Sequence, residues 1–331
     1  MTQQLLNVEI DSIVEYLDGI DSALVSALLK DHTTGKSIRW CTNAYSWLGA
    51  KYSEEAHITR AQITGDYSKV IQPRIVKSIQ TQEQRTREKG EVFTPSWVCN
   101  QQNNLIDEAW FGKKNVFNTE SNQSWNASKG KITFPNVKGK KWKDYITANR
   151  LEVACGEAPY LTSRYDTVSG SYIDVLDRIG LLDRKLRIVN ERNDTKEDWN
   201  KWSKEAYKSI YGFDYQGDNV FLARENLLMT YIENFVFKFG EQPSLDSINE
   251  IAYIISWNIW QMDGLTNVTP FEYEEDYIQN KPSFELISLF PEDNAEEESI
   301  IQPTLFPKQS LIMDWKTNRP VTFCESIKEE A

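Results

Sequence analysis

Residues 151–161, Leu-Glu-Val-Ala-Cys-Gly-Glu-Ala-Pro-Tyr-Leu, read as a short apolar strand running into a turn of small residues. Ala154 and Gly156 in such a turn let a ligand approach the backbone closely at the end of a parallel strand, as an adenosyl group requires. An acid nearby can hold the cationic amino-acid end of that ligand. A purely structural strand-to-helix turn uses the same residue types, so this segment leaves both readings open. Asp214 ends the run Ser-Ile-Tyr-Gly-Phe-Asp, and Asp263 follows Asn-Ile-Trp-Gln-Met. Taken singly, each of these acids reads as a helix cap or loop carboxylate.

Between residues 129 and 150 the chain carries Lys129, Lys131, Lys138, Lys140, Lys141, Lys143 and Arg150 against the single acid Asp144, with Trp142 inside the run. This is a solvated basic loop or a phosphate-contacting one, with Lys138, Lys140, Lys141, Trp142 and Lys143 as the candidate nucleic-acid contacts. The net charge of −12 argues against attraction to nucleic acid over the whole surface, so any such contact has to be local. Ten acids against Lys281 alone between residues 272 and 298, with Pro282 and Pro291, describe a flexible acidic linker.

The four cysteines are scattered without a Cys-x-x-Cys pair, and His32 and His57 are the only histidines. A disulfide framework and a thiol or imidazole zinc site are therefore not expected, and no Gly-x-Ser-x-Gly elbow supports a hydrolase. No metal is implied. The absence of a long apolar run and of a basic, apolar leader predicts a cytoplasmic protein without membrane association. A chain of 331 residues with 40% apolar content can build one large core or two ordinary ones.

Several elements must position these residues. Leu5, Ile10, Ile13, Val14, Leu17, Ile20, Leu24 and Leu28 recur at spacings near three and four, which predicts amphipathic helix over the first thirty residues. Strand-like residues follow at 38–41, and a second helical stretch is expected over 68–87. Val220, Phe221, Leu227, Leu228, Ile232 and Phe235 predict a crossover helix after Asp214, and a further helix is expected over 245–257. The interval from Gly156 to Asp214, 58 positions long, is read as containing an inserted subdomain at about 166–208. The two ends of the chain share a pattern of apolar-apolar-x-Asp, a turn, and apolar-x-aromatic-Cys, at 28–41 and 311–324. Each copy reads as a β-hairpin with Asp31 or Asp314 capping the turn and Gly35 or Asn318 at positive φ. Pairing of the two hairpins, or chance similarity, both remain open.

Taken in order, Phe93-Thr94-Pro95, the 151–156 strand end, Asp214 and the Asn258-Ile-Trp-Gln-Met-Asp263-Gly-Leu265 segment resemble the gamma-class adenine-N6 DNA methyltransferases, including modification subunits of restriction systems. The resemblance spans about residues 85–265. It implies an α/β fold with a Rossmann-like S-adenosylmethionine-dependent methyltransferase sheet, preceded by a mainly helical region and flanked by terminal β-hairpins. It implies that Phe93, Thr94 and Pro95 cover the methionine portion of the cofactor and that Ala154, Cys155 and Gly156 form the turn beneath it. Glu152 stands where the family has an acid, Asp214 would accept the ribose hydroxyls, and Asp263 would bond the adenine amino group. The domain organisation expected on this basis is a helical region at 1–89 with its hairpin near 28–41, a cofactor-binding domain at 90–270, an acidic linker at 271–305 and a C-terminal hairpin at 306–331.

The family's (Asp/Asn)-Pro-Pro-(Tyr/Phe) motif, which accepts the flipped base and stacks on it, does not occur. Met313-Asp314-Trp315 and Asn318-Arg319-Pro320-Val321 are the nearest candidates, and the hairpin reading accounts for the same residues. No catalytic residue is assigned. The expected function is a DNA adenine methyltransferase-like protein of a restriction-modification or phage-defence system that acts on DNA with partner subunits. A catalytically inactive binding or regulatory subunit and an acidic protein-interaction module are the alternatives.

Overall fold

The computed structural model describes residues 13–77, 94–276 and 304–330. Its helices are α1 (Ile13–Ile20), α2 (Ser22–Leu29), α3 (Ser96–Phe111), α4 (Trp142–Ile146), α5 (Leu181–Arg192), α6 (Lys196–Lys208), α7 (Gly217–Phe239), α8 (Leu245–Asn258) and α9 (Phe323–Glu330). Strands β1 (Asn118–Ser121) and β2 (Ser124–Ala127) form an antiparallel hairpin. The functional frame is a parallel sheet of β3 (Arg150–Val153), β4 (Ile210–Asp214) and β5 (Ile259–Gln261), in that spatial order. Two further antiparallel pairs join β6 (Val268–Asp276) to β7 (Thr304–Gln309) and β8 (Leu311–Asp314) to β9 (Arg319–Thr322). The class is thus mixed α/β, with one small parallel sheet and several hairpins.

Helix α7 is the central element, buried at every residue from Gly217 to Val236. A helix buried all round needs partners for its polar side chains, and Arg224, Asn226 and Glu233 have them. Glu233 lies between Arg164 and Arg178, each within 2.6 Å, and Arg224 donates to the carbonyls of Leu28, Ser256 and Ile259. Burial pushes the Glu233 carboxyl upward, but the two guanidinium groups outweigh it and hold it below its ordinary value. Local signals bound the helices: Asp21, Thr195 and Ser244 accept backbone N–H bonds at the starts of α2, α6 and α8, and left-handed Gly112 and Gly240 end α3 and α7.

One apolar cluster runs from Ile13 to Ile259 and packs α1, α2, α5, α6, α7 and α8 together. A smaller cluster of Phe213, Trp260, Met262, Ile312 and Phe323 lies on the sheet face that β8, β9 and α9 cover.

Several sequence expectations need correction. The helix expected over 68–87 is not formed in its described part, where a 3-10 turn (Arg74–Val76) follows Pro73; proline pushes Gln72 out of the α region. The rest of that stretch lies outside the described residues. In the interval 166–208, read as an inserted subdomain, Leu182, Leu186, Trp199 and Tyr207 pack into the main cluster, and α5 and α6 lie between β3 and β4 in the chain. Strands β6 and β7 extend into the segment read as acidic linker, and 277–303 lies outside the described residues. The C-terminal segment adds helix α9 to its hairpin.

At the chain ends, Asp31 accepts from Thr33 N and from the Thr34 hydroxyl, and Asp314 accepts from Lys316 N and from the Thr317 hydroxyl. Gly35 and Asn318 both lie at positive φ. The first hairpin is narrow, with one bridge between Lys30 and Ser37, and residues 38–41 add a single bridge, Arg39 to His57, instead of a strand. The two hairpins meet through a 3.0 Å bond from Leu311 N to the Thr33 hydroxyl, and among the described residues β8 pairs with β9 alone.

Candidate functional site

The carboxyl ends of β3 and β4 bring four sequence-predicted features together. Register places Glu152 beside Gly212 and Val153 beside Phe213, so the turn after β3 reaches the tip of β4. Ala154, Gly156 and Ala158 all adopt left-handed backbone, at φ 54°, 52° and 63°. For the two alanines this conformation costs roughly 1–2 kcal/mol each, so the surrounding contacts must hold the turn in place. One such contact is Cys155 N to Phe213 O at 2.8 Å. The cysteine sulfur also fits against Gly212, where an added Cβ would stand 3.3 Å from it.

The second restraint is Asp214. Its Oδ2 accepts from Gly156 N at 2.9 Å, and its Oδ1 accepts from Gln216 N at 2.9 Å and from Asn219 Nδ2 at 3.4 Å. Burial pushes its carboxyl up to about 6, while the two backbone amides pull it back and Asp218 adds to the rise. Glu152, on the same side of the sheet, accepts from Tyr160 N and Leu161 N at 3.3 and 3.2 Å. Burial drives its carboxyl well above the ordinary range, against those two amides and with a further push from Asp214.

Thr94 and Pro95 lead into α3 beside this turn. Thr94 O accepts from the Thr167 hydroxyl at 3.0 Å and from Cys99 Sγ at 3.6 Å, and Ser96 N donates to Asp166. The Cys99 thiol is pushed up to about 12, first by burial and then by Glu152. Thr94, Pro95, Glu152, the 154–156 turn and Asp214 thus belong to one neighbourhood, whereas Phe93 lies outside the described residues.

Asp263 lies one strand over and is turned elsewhere. It sits two residues past the end of β5, accepts from Leu265 N at 2.8 Å and closes the 263–267 turn. Sequence reasoning missed Gln261, which holds the tip of β5 instead. Its Oε1 accepts from Arg39 N at 2.8 Å, and its Nε2 donates to Arg39 O and Tyr215 O at 2.9 and 2.8 Å. Gly217 N donates to Trp40 O, and a Cβ on Gly217 would stand 1.8 Å from Arg39 O. Residues 39–40 therefore lie directly on the tip of β5 and the start of α7. The one signal available in sequence was a polar residue inside the apolar run Ile-Trp-Gln-Met.

The basic stretch is divided between structural and exposed roles. Lys140 Nζ donates to Trp110 O at 2.6 Å, Lys141 N is capped by Asp144, and Trp142 packs edgewise on Trp202. Lys143 lies over both tryptophan rings, and Lys138, Lys141 and Lys143 are exposed. Asp314 is at the wrong end of the sheet for the 154–156 turn. It borders a groove with Thr147, Asn149 and Arg150, at the amino end of β3. Its carboxylate holds its own hairpin turn through Lys316 N and the Thr317 hydroxyl.

Asp214 and Asp263, to which the resemblance gives the ribose and adenine ends of an adenosyl cofactor, are both engaged within the chain. An ionised Asp214 carboxylate offers acceptors alone, and a vicinal diol would have to displace or share them with the Gly156 and Gln216 amides. Asp263 is held by its own turn, and the Gln261 amide is taken by Arg39. Among the described residues no group of three His, Cys, Asp or Glu side chains is placed to hold a metal ion, and no helix is long and apolar enough to cross a membrane. Comparison of the chain with family models, with curated proteins and with solved structures returned no match.

Proposed function

We propose that this chain is the S-adenosylmethionine-binding component of a DNA adenine-N6 methyltransferase-like system of the restriction-modification or phage-defence kind, working with partner subunits. The observation that carries the reading is the contact between Gly156 N and the Asp214 carboxylate at the carboxyl edge of a parallel sheet. Ligands of open α/β sheets bind at that edge, and the order turn, acid, third strand is the one the family uses. Glu152 and Asp214 orient the loop after β3 through its amides, and Thr94 with Pro95 walls the site from the α3 side. The bound cofactor would supply an activated methyl group, so the protein's task is alignment.

A second reading, a subunit that binds cofactor or DNA without transferring methyl, is favoured by the engagement of Asp314 in its own turn and by the Arg39 backbone on Gln261. Transfer of labelled methyl from S-adenosylmethionine to DNA, assayed with the chain alone and with the products of neighbouring genes, separates the two. Incorporation that Asp214→Ala removes supports the enzyme, and cofactor binding without incorporation in either setting supports the binding subunit.

A further inference from the structure

The two edges of the parallel sheet are finished differently. At the β5 edge, the carbonyl of Ile259 accepts from Arg224 Nε at 2.8 Å and the side chain of Gln261 is tied to Arg39. At the β3 edge no such cover exists among the described residues. Arg150 N donates to Ser209 O, so 150 and 152 direct their backbone groups at β4, and alternation turns those of Leu151 and Val153 outward. Among the described residues neither has a hydrogen-bond partner on that side and β4 is the only strand neighbour of β3. The side chains of Leu151 and Val153 are 44% and 66% exposed. Parallel sheets are normally covered on both faces, and natural edges are blunted by charge, proline or bulges. Beside this edge runs a groove of about 550 Å³ bordered by Leu151, Tyr211, Trp260 and the α9 residue Phe323.

We infer that the outer edge of β3 is a docking site for an extended segment of a partner polypeptide, which adds as a strand beside Leu151 and Val153. The backbone donors and acceptors require a strand, and the two exposed side chains require apolar residues at alternate positions of that strand. Charge indicates what lies at its end. Arg150 stacks on Tyr145 and has no carboxylate within ion-pair distance among the described residues. The groove acids are already engaged, Glu205 with Lys208, Asp314 with its own turn and Glu325 with Thr322 N. The incoming strand therefore carries an acid opposite Arg150. A second copy of the chain is a poorer occupant, because its β3 would bring another Arg150 and, with Glu152 buried, no free acid. This inference names the surface at which a partner joins and does not depend on cofactor binding.

The test uses the full chain without cofactor and a short synthetic peptide of alternating valine and threonine with glutamate at both ends. Binding is followed by calorimetry and by amide hydrogen exchange. The expected result is saturable binding with slowed exchange at Leu151 and Val153, weakened about tenfold by Val153→Lys, which removes apolar contact at an exposed position. A peptide with arginine in place of glutamate binds more weakly. A urea midpoint for Val153→Lys matching the parent verifies that the variant folds. Failure of the peptide to bind, equal binding to Val153→Lys, or a dimer in sedimentation that Val153→Lys dissociates would each overturn the inference.

Discussion

Glu225 provides a sharp test of how α7 is built. It is 4% exposed, and its Oε1 has no hydrogen-bond partner among the described residues. Burial pushes its carboxyl up to about 8 from an ordinary 4.5, with Arg164 pulling weakly the other way. Between those two values the folded chain holds a proton that the unfolded chain has released. The stabilisation is therefore complete below pH 4.5 and is lost as pH rises toward 8. The loss is about 1.4 kcal/mol per pH unit, and on the order of 4–5 kcal/mol over the whole window. Glu225→Gln removes that proton and leaves other titrating groups, His32 and Asp214 among them, common to both proteins. Urea unfolding of parent and variant at pH 5.5, 6.5 and 7.5 should show the variant gaining on the parent by about 1.4 kcal/mol per unit. Any cost of burying the amide shifts all three differences equally. Parallel pH profiles would refute the reasoning, since they would mean that Glu225 is ionised in the fold and has a partner.

Other substitutions test separate contacts. Glu233→Gln leaves Arg164 and Arg178 buried without their shared carboxylate and should cost about 3–5 kcal/mol by denaturant unfolding. Gly217→Ala places a Cβ against Arg39 O, which is backbone and cannot swing aside; a loss of about 1–3 kcal/mol is expected in the same assay. His32 is stacked on Trp257, and burial, helped by Arg224 and Lys30, lowers its pKa to about 3. Its ring resonances should stay at their neutral positions from pH 7 to 5 in an NMR titration. The unfolded ring protonates near 6.5, so His32 favours folding above that value and weakens it as pH falls.

The parts of this fold legible in sequence are those set by local rules. Helical periodicity marks α7 and α8, and the apolar run into small residues marks β3 and its turn. The paired pattern of Asp31 with Gly35 and Asp314 with Asn318 marks two turns, because side-chain capping and positive φ are properties of a few neighbouring residues. What depends on distant partners was not legible. Arg178, Asp183 and Arg184 lie in the interval read as an inserted subdomain, yet all three are buried, because Glu233, Ser163 and Asp107 meet them from elsewhere in the chain. The antiparallel pairing of β6 with β7 was concealed by acids that read as linker. In the site, residue types at the β3 and β4 tips were visible, but the docking of Arg39 on Gln261 was not, since it joins positions 222 residues apart.

Direct titration of the full chain with S-adenosylmethionine by calorimetry tests the central claim. The account predicts a single saturable site, lost in Asp214→Ala and retained in Asp314→Ala, the latter because that aspartate serves only its hairpin turn. Absence of binding to the folded parent chain, or undiminished binding to Asp214→Ala, would contradict it.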